Sequence, residues 1–158
     1  IPANFLQDGR CLRIRAFGAY GTTATPTLIF SLRWGGVAGT VLAKSTAVTT
    51  TSAVGGGASM TAPWSLDLII QTRSNGSSGT LMSNGEATLF TSTAATAGTV
   101  TQYGLPMPIC SGSTGGTTPV AVTADLTADT ALSLTATWGT SNAANSIQGL
   151  NYTIEAMN

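Results

Sequence analysis

Hydrophobic residues recur at every second position in most apolar stretches of this chain, which is the period of a half-buried β-strand. The clearest case is 64–71, where Trp64, Leu66, Leu68 and Ile70 alternate with outward positions. The run ends at residues 74–76, Ser-Asn-Gly, which is a strong turn signal. No window of about 11 residues keeps a helical period. The pattern therefore predicts an all-β protein.

The same alternation predicts the remaining strands and the loops between them. Early strands are expected at 11–16 and 28–34, with a weaker one within 39–48. A hairpin is expected around a second Asn-Gly pair, Asn84 and Gly85. Later extended segments and strands are expected at 105–109, from 120 to 122, and at 132–138 and 150–154. Polar or small residues predict loops at 49–60, 93–101, 111–118 and 140–145.

Eight to nine strands with short connections imply antiparallel pairing, because parallel strands need long crossovers. The chain of 158 residues is large enough for one core. We therefore expect a single domain over residues 1–158, an antiparallel β-sandwich of jelly-roll type. An immunoglobulin-like sandwich is the alternative, but the chain lacks a Cys-Trp-Cys arrangement and has more strands.

Charge is scarce: only 8% of residues are charged, and six Lys/Arg balance six Asp/Glu. Zero net charge argues against binding to the phosphates of nucleic acid. The longest apolar runs are far too short for a membrane-spanning helix. A sparsely charged surface without net charge favours self-association. We therefore expect the protein to work within an assembly, with no nucleic acid and no membrane as partner.

Catalytic chemistry finds little support in the sequence. The chain has no His, the usual base of a Ser-His hydrolase, and its single Lys44 lacks a preceding Ser-x-x-Lys motif. The carboxylates are isolated in sequence, which is unlike a glycosidase pair. Asp125 and Asp129 fit a solvated turn, with a calcium-type site as the alternative. We therefore expect a non-enzymatic protein without cofactor or metal.

The two cysteines bear on the redox state of the protein, and the first residue bears on its processing. Cys11 and Cys110 match neither a zinc motif nor a redox pair. Two reduced thiols are favoured, and one disulfide is the alternative. The chain begins at Ile1 without a Met, which indicates a processed, trimmed or longer product.

Two sets of residues are candidates for binding. The first is a basic group on or beside the first strand, which could pair with acids of a neighbouring subunit or stay hydrated; it comprises Arg10, Arg13 and Arg15. The second is a set of three tryptophans in phase with inward aliphatic residues; it comprises Trp34, Trp64 and Trp138. Core packing is the main interpretation of the tryptophans, and a ligand groove or subunit interface is the alternative.

Several segments together resemble small virion proteins of tailed bacteriophages. These segments are 8–16 (DGRCLRIRA), 26–36 (PTLIFSLRWGG), 125–127 (DLT), 131–138 (ALSLTATW), 146–147 (SI) and 152–155 (YTIE). The resemblance implies a jelly-roll subunit, often trimeric, that ornaments the head shell or forms part of a tail fibre. It implies a protein that acts by binding.

Two functions follow as expectations. The first is a capsid decoration subunit located in the virion, a homotrimer that stabilises the phage head by bridging copies of the major capsid protein. The alternative is a tail-fibre or receptor-binding domain that recognises host surface glycans through the loops at 49–60, 93–101 and 111–118, since loops on a rigid scaffold suit recognition. A bacterial adhesin or polysaccharide-binding module is a third, weaker class.

Overall fold

The computed structural model describes residues 1–22, 25–50, 60–93, 101–116 and 118–157. These ranges contain ten strands and no helix. In chain order the strands are β1 (Cys11–Gly21), β2 (Thr27–Trp34), β3 (Thr40–Ser45), β4 (Val48–Thr49), β5 (Ala62–Ser74), β6 (Gly79–Thr93), β7 (Thr101–Ser111), β8 (Val122–Ala124), β9 (Leu132–Trp138) and β10 (Ser146–Ala156).

All strand pairs are antiparallel, so the predicted all-β, antiparallel class is confirmed. Eight long strands follow the order β10-β1-β5-β6-β7-β3-β2-β9, and the short strands β4 and β8 lie beside β2 and β6. Hydrogen bonds link them into one sheet that curls into a half-barrel, rather than into two separate sheets. The described ranges hold ten strands against the predicted eight to nine; the short β4 was not predicted, whereas β8 corresponds to the strand expected from 120 to 122. The jelly-roll type stays a prediction.

The core lies on the concave face of the curled sheet. Inward positions of β5 are the predicted ones, and Trp64, Leu66, Leu68 and Ile70 are all buried. The Phe30 ring from β2 packs against Trp64 with the centroids 5.0 Å apart, in a tilted arrangement that aromatic pairs favour. The period-two alternation thus identified the buried face of the central strands.

The predicted turn at Asn84 and Gly85 is wrong. Strand β6 passes straight through both residues, and the β5–β6 hairpin turns instead around Gly76, whose φ of 98° suits glycine. Gly85 lies opposite Leu68 of β5, and a Cβ there would come within 2.7 Å of the Leu68 Cα. The glycine therefore allows close approach of two strands and does not form a turn.

Other predicted boundaries shift. The extended segment 105–109 is the centre of the longer β7, which pairs with β6 and with β3. The strand expected from 120 begins only at Val122, and Val120 is exposed. Most of the predicted loops 49–60 and 93–101, and residue 117 of the loop 111–118, lie outside the described residues.

Candidate functional site

The half-barrel is open between its two edge strands. In the described part of the chain, β9 is bonded only to β2 and β10 only to β1, so each has one free edge. A groove of about 430 Å³, here called the seam groove, lies between them. Its lining is mainly apolar and includes Phe30, Trp64, Leu132, Leu134, Ile147 and Tyr152.

Strand β10 carries an inward apolar pattern that the chain itself leaves uncovered. Ile154 lies opposite Ile14 of β1, yet Ile14 is fully buried and Ile154 is 38% exposed. Tyr152 lies opposite the buried Ala16 and is 42% exposed. Leu150 sits at a register shift in the β1–β10 ladder and is 60% exposed. Three large apolar side chains of β10 are therefore exposed, and two of them, Tyr152 and Ile154, lie on its inward face.

Strand β9 forms the other wall of the seam groove and is also incompletely covered. Leu134 lies opposite the buried Leu32 of β2 but is itself only half-buried, as are Leu132 and Ala136. β9 has no charged residue, and β10 has only Glu155. Soluble proteins usually protect edge strands with charges, prolines or covering segments. These two edges have the composition of strands that pair with something further.

Trp64 forms part of the floor of the seam groove. Its indole Nε1 donates a hydrogen bond of 3.1 Å to the carbonyl oxygen of Gln148 in β10. The indole passes beneath Gly18 of β1, where a Cβ would come within 2.7 Å of the indole nitrogen. On the β10 wall, partial burial of the phenol raises the pKa of Tyr152 to about 12. The hydroxyl is neutral at ordinary pH.

The other two tryptophans do not line the seam groove. Trp34 is buried, and its Nε1 donates a 3.0 Å hydrogen bond to the carbonyl oxygen of Asp125. Trp138 is half-buried near the end of β9, with its ring 6.5 Å from that of Tyr20. The three candidate aromatic residues are therefore not brought together, and only Trp64 lies in the groove.

The candidate arginines divide into a pair and a separate residue. Arg13 and Arg15 lie on the convex face of β1 and both form ion pairs with Asp67 of β5. The Arg13 Nε to Asp67 Oδ1 distance is 2.9 Å, and the hydrogen bond from Arg13 is the main reason that the pKa of Asp67 is lowered. Arg10 instead binds the carbonyl oxygen of Phe5 at 3.0 Å and stacks over its ring.

Pairing within the chain changes how the arginines can act. Because Asp67 already engages both Arg13 and Arg15, these guanidinium groups are not unpaired charges awaiting acids of another subunit. They form, with Asp67, a local network that spans β1 and β5 on the convex face.

Sequence reasoning missed the seam groove and the exposed side chains of β10. The predicted strand at 150–154 lies within β10, but its alternation could not show that Tyr152 and Ile154 are uncovered. One signal was present in the sequence, since 132–138 and 146–154 contain no charged residue at all.

Metal and redox chemistry have no visible site in the described ranges. No cluster of three or more His, Cys, Asp or Glu residues there could hold a metal ion. Asp125 Oδ1 accepts hydrogen bonds from the Thr127 backbone nitrogen at 2.9 Å and hydroxyl at 2.6 Å, which lowers the pKa of Asp125.

In the described ranges, neither Cys11 nor Cys110 forms a disulfide. Within the same ranges, no helix has the length and apolar character that crossing a membrane requires.

Comparisons with protein-family models, with curated proteins and with solved structures find no match in any of the three.

Proposed function

We propose that this protein is a non-enzymatic structural subunit of a virion, a capsid decoration subunit that assembles as a homotrimer on the phage head. In this proposal it stabilises the head by bridging copies of the major capsid protein. One observation favours assembly: the uncovered apolar face of β10, with its free edge, beside the seam groove. The virion setting follows from the sequence resemblance.

The exposed apolar side chains supply a driving force for assembly. Leu150, Tyr152 and Ile154 are between 38% and 60% exposed. Full burial of such a side chain contributes about 1.5–3 kcal/mol, so covering its exposed part contributes about 1 kcal/mol. Association also costs several kcal/mol in lost freedom, which the edge hydrogen bonds and further apolar contacts have to offset. In a closed oligomer every copy makes this contact, so the stabilisation is repeated at each interface.

The jelly-roll assignment belongs to the same proposal. Among the eight long strands, the first pairs with the last, β1 with β10, and the second with the next to last, β2 with β9. The third pairs with the sixth, β3 with β7, and the fourth with the fifth, β5 with β6. A jelly roll is wound from these nested antiparallel pairs. The nested pairing supports the assignment, although here β9 and β10 both stand at edges.

Two measurements test this function. Light scattering with size-exclusion chromatography should give three times the 15.9 kDa mass of one chain. Quantitative mass spectrometry of purified particles should give a copy number comparable to that of the major shell subunit. A few to a few tens of copies per particle would favour the tail-fibre alternative. Absence from particles, or a stable monomer at micromolar concentration, would contradict the proposal.

A further inference from the structure

We infer that the free edge of β10 in one copy pairs antiparallel with the free edge of β9 in the next copy. A closed ring of copies would then cover every seam groove. This inference rests on the proposed self-assembly and adds the surface that carries it. The occupant of the groove is thus a β-strand edge of a second copy of this chain.

Strand directions make this pairing geometrically consistent. Each neighbour along β10-β1-β5-β6-β7-β3-β2-β9 is antiparallel, so β9 and β10, at the two ends of eight strands, run in opposite directions. Rotation about an axis parallel to the strands therefore places β10 beside an antiparallel β9 of the next copy. Every free edge is used in a closed ring. A symmetric β10–β10 dimer would leave both β9 edges unpaired.

The side chains on the concave face are complementary in size. Alignment of Leu134 with Ile154 of the next copy puts the small Ala136 opposite the large Tyr152 of that copy. The residues named on both strands point into the seam groove or toward the core face. In this register, Thr137 and Asn151 of the next copy face each other on the convex side.

Charge on the convex face fits the same register. Arg33 of β2 donates to the Thr135 hydroxyl at 3.3 Å and to the Gly39 carbonyl at 3.0 Å, so its guanidinium lies between β9 and the connection from β2 to β3. Among the described residues, Arg33 forms no ion pair; Glu155 forms none within 4 Å, although it lies directly opposite Arg13 of its own chain in the β1–β10 ladder. Ser133 lies opposite Arg33, and the proposed register places Glu155 of the next copy opposite Ser133. An acid at the β10 edge would thereby approach a base behind the β9 edge.

The free edges also favour a strand over a small apolar ligand. A row of unpaired backbone N–H and C=O groups borders each side of the groove. A small apolar molecule could cover Tyr152 and Ile154, but it would leave these backbone groups without partners. A β-strand can cover the apolar side chains and form hydrogen bonds with the backbone groups of the free edge in one contact.

Cross-linking tests the inference. Two chains are co-expressed, each carrying C11S and C110A and each with a different tag. One of them also carries Thr137→Cys, and the other carries Asn151→Cys. A short bismaleimide should link the two tags only when both variants are present. Thr123→Cys, an exposed position on β8, replaces Thr137→Cys as the control and should give no link to Asn151→Cys. Circular dichroism and light scattering verify that each variant folds and assembles.

A charge exchange provides a second readout that needs no cysteine. Glu155→Arg should weaken association about tenfold, equivalent to about 1.4 kcal/mol, because it places a base toward Arg33 of the next copy. Because Glu155 also lies opposite Arg13 of its own chain, urea unfolding of the variant measures the effect within the chain separately. Adding Arg33→Glu to the same chain should restore most of the loss. A Glu155→Arg chain that associates normally, or a double variant that is not restored, would contradict the proposed register.

The outcomes separate this inference from the proposed function. A trimer by light scattering, with cross-links between the two different tags, supports both the proposed function and the β9–β10 pairing. Two chains with the same links support the edge pairing and replace the trimer by a two-copy ring. Links formed by Asn151→Cys alone, at the trimer mass, overturn the β9–β10 pairing and leave the assembly standing. A monomer overturns both.

Discussion

The indole nitrogen of Trp64 in β5 reaches the carbonyl oxygen of Gln148 in β10, two strands away, through a hydrogen bond of 3.1 Å. Strand β1 lies between them, and the contact is feasible because Gly18 of β1 has no side chain at the crossing point. Trp64 therefore ties an edge strand to the centre of the sheet. This contact positions one wall of the seam groove.

Replacing Trp64 by Phe should loosen β10. Phe keeps most of the apolar ring but cannot donate to the Gln148 carbonyl, and the smaller ring leaves space against Phe30. We expect a loss of about 1–3 kcal/mol in the free energy of unfolding. Urea titration measures the loss, and amide hydrogen exchange should accelerate in β10.

Trp34→Phe is the matched control for this variant. It removes an equivalent hydrogen bond, from Trp34 to the Asp125 carbonyl, at a site away from the seam groove. Its loss of stability should be similar, but exchange in β10 should stay near the wild-type rate. Equal acceleration in both variants would refute the idea that Trp64 specifically holds β10.

Gly18→Ala should disturb the same contact from the other side. An added Cβ would overlap the Gln148 carbonyl oxygen and come within 2.7 Å of the Trp64 indole nitrogen. Both obstacles are fixed, so we expect a destabilisation of about 1–3 kcal/mol, as for other overpacked sites. Gly149, paired with Gly18 in β10, has open space around it, and Gly149→Ala should change stability by no more than about 0.5 kcal/mol. Thermal or urea unfolding of the two variants compares them directly.

The central strands were predictable because their neighbours bury one face completely. In β2 and β5, the residues at every second position are buried, so the alternation of apolar and polar residues shows directly which side chains face the core. The Asn84 and Gly85 turn was wrong because the same dipeptide serves two needs. Glycine suits a turn, but it also suits a position where another backbone approaches closely, as Leu68 does here.

The candidate site was not predictable from the same pattern. Alternation assigns Ile14 and Ile154 to the same face, and only the three-dimensional arrangement shows that one is buried and the other is exposed. Arg13 and Arg15 were grouped with Arg10 by proximity in sequence. Their separation depends on Asp67, which is far away in the chain and is brought near by the β1–β5 pairing.

Asp67→Asn should lower stability at neutral pH and have no effect in acid. The pKa of Asp67 is lowered mainly by the Arg13 hydrogen bond, so the folded state binds its proton less tightly than the unfolded chain. The stabilisation is therefore fully present above the unfolded value, about 3.9, and is lost as the pH falls through the folded pKa. Because the Asp67 side chain is 47% exposed, we expect a difference of at most about 1 kcal/mol at pH 7.

Urea titrations of wild type and Asp67→Asn between pH 7 and pH 2 measure this difference. Glu86→Gln is the control, because Glu86 lies directly opposite Asp67 in β6 and forms no ion pair among the described residues. Removing a like charge beside Asp67 should leave stability unchanged or raise it slightly. A difference for Asp67→Asn that persists at the lowest pH would show that the ion pairs are not its source.

The two thiols should react at very different rates. Cys110 is 7% exposed in β7, whereas Cys11 is half-buried at the start of β1. Native protein treated with a maleimide should gain one label quickly and the second only slowly, as the fold opens. In denaturant, both should react at once. Mass spectrometry without reductant counts the labels, and a denatured chain with no reactive thiol would reveal a disulfide instead.

Ile154→Thr should separate assembly from folding. The same substitution at the directly opposite Ile14, which is fully buried, should cost about 2–4 kcal/mol in unfolding free energy, because it leaves a hydroxyl and a cavity in the core. At Ile154, 38% exposed, the monomer should lose less than about 1 kcal/mol, while association weakens because the apolar contact is reduced. Phe17→Thr is the control for general loss of surface hydrophobicity, since Phe17 is 50% exposed on the convex face. Sedimentation velocity over a concentration series should show that Ile154→Thr dissociates at higher concentration than wild type and Phe17→Thr does not. The reverse result would move the subunit contact from the seam groove to the convex face of β1.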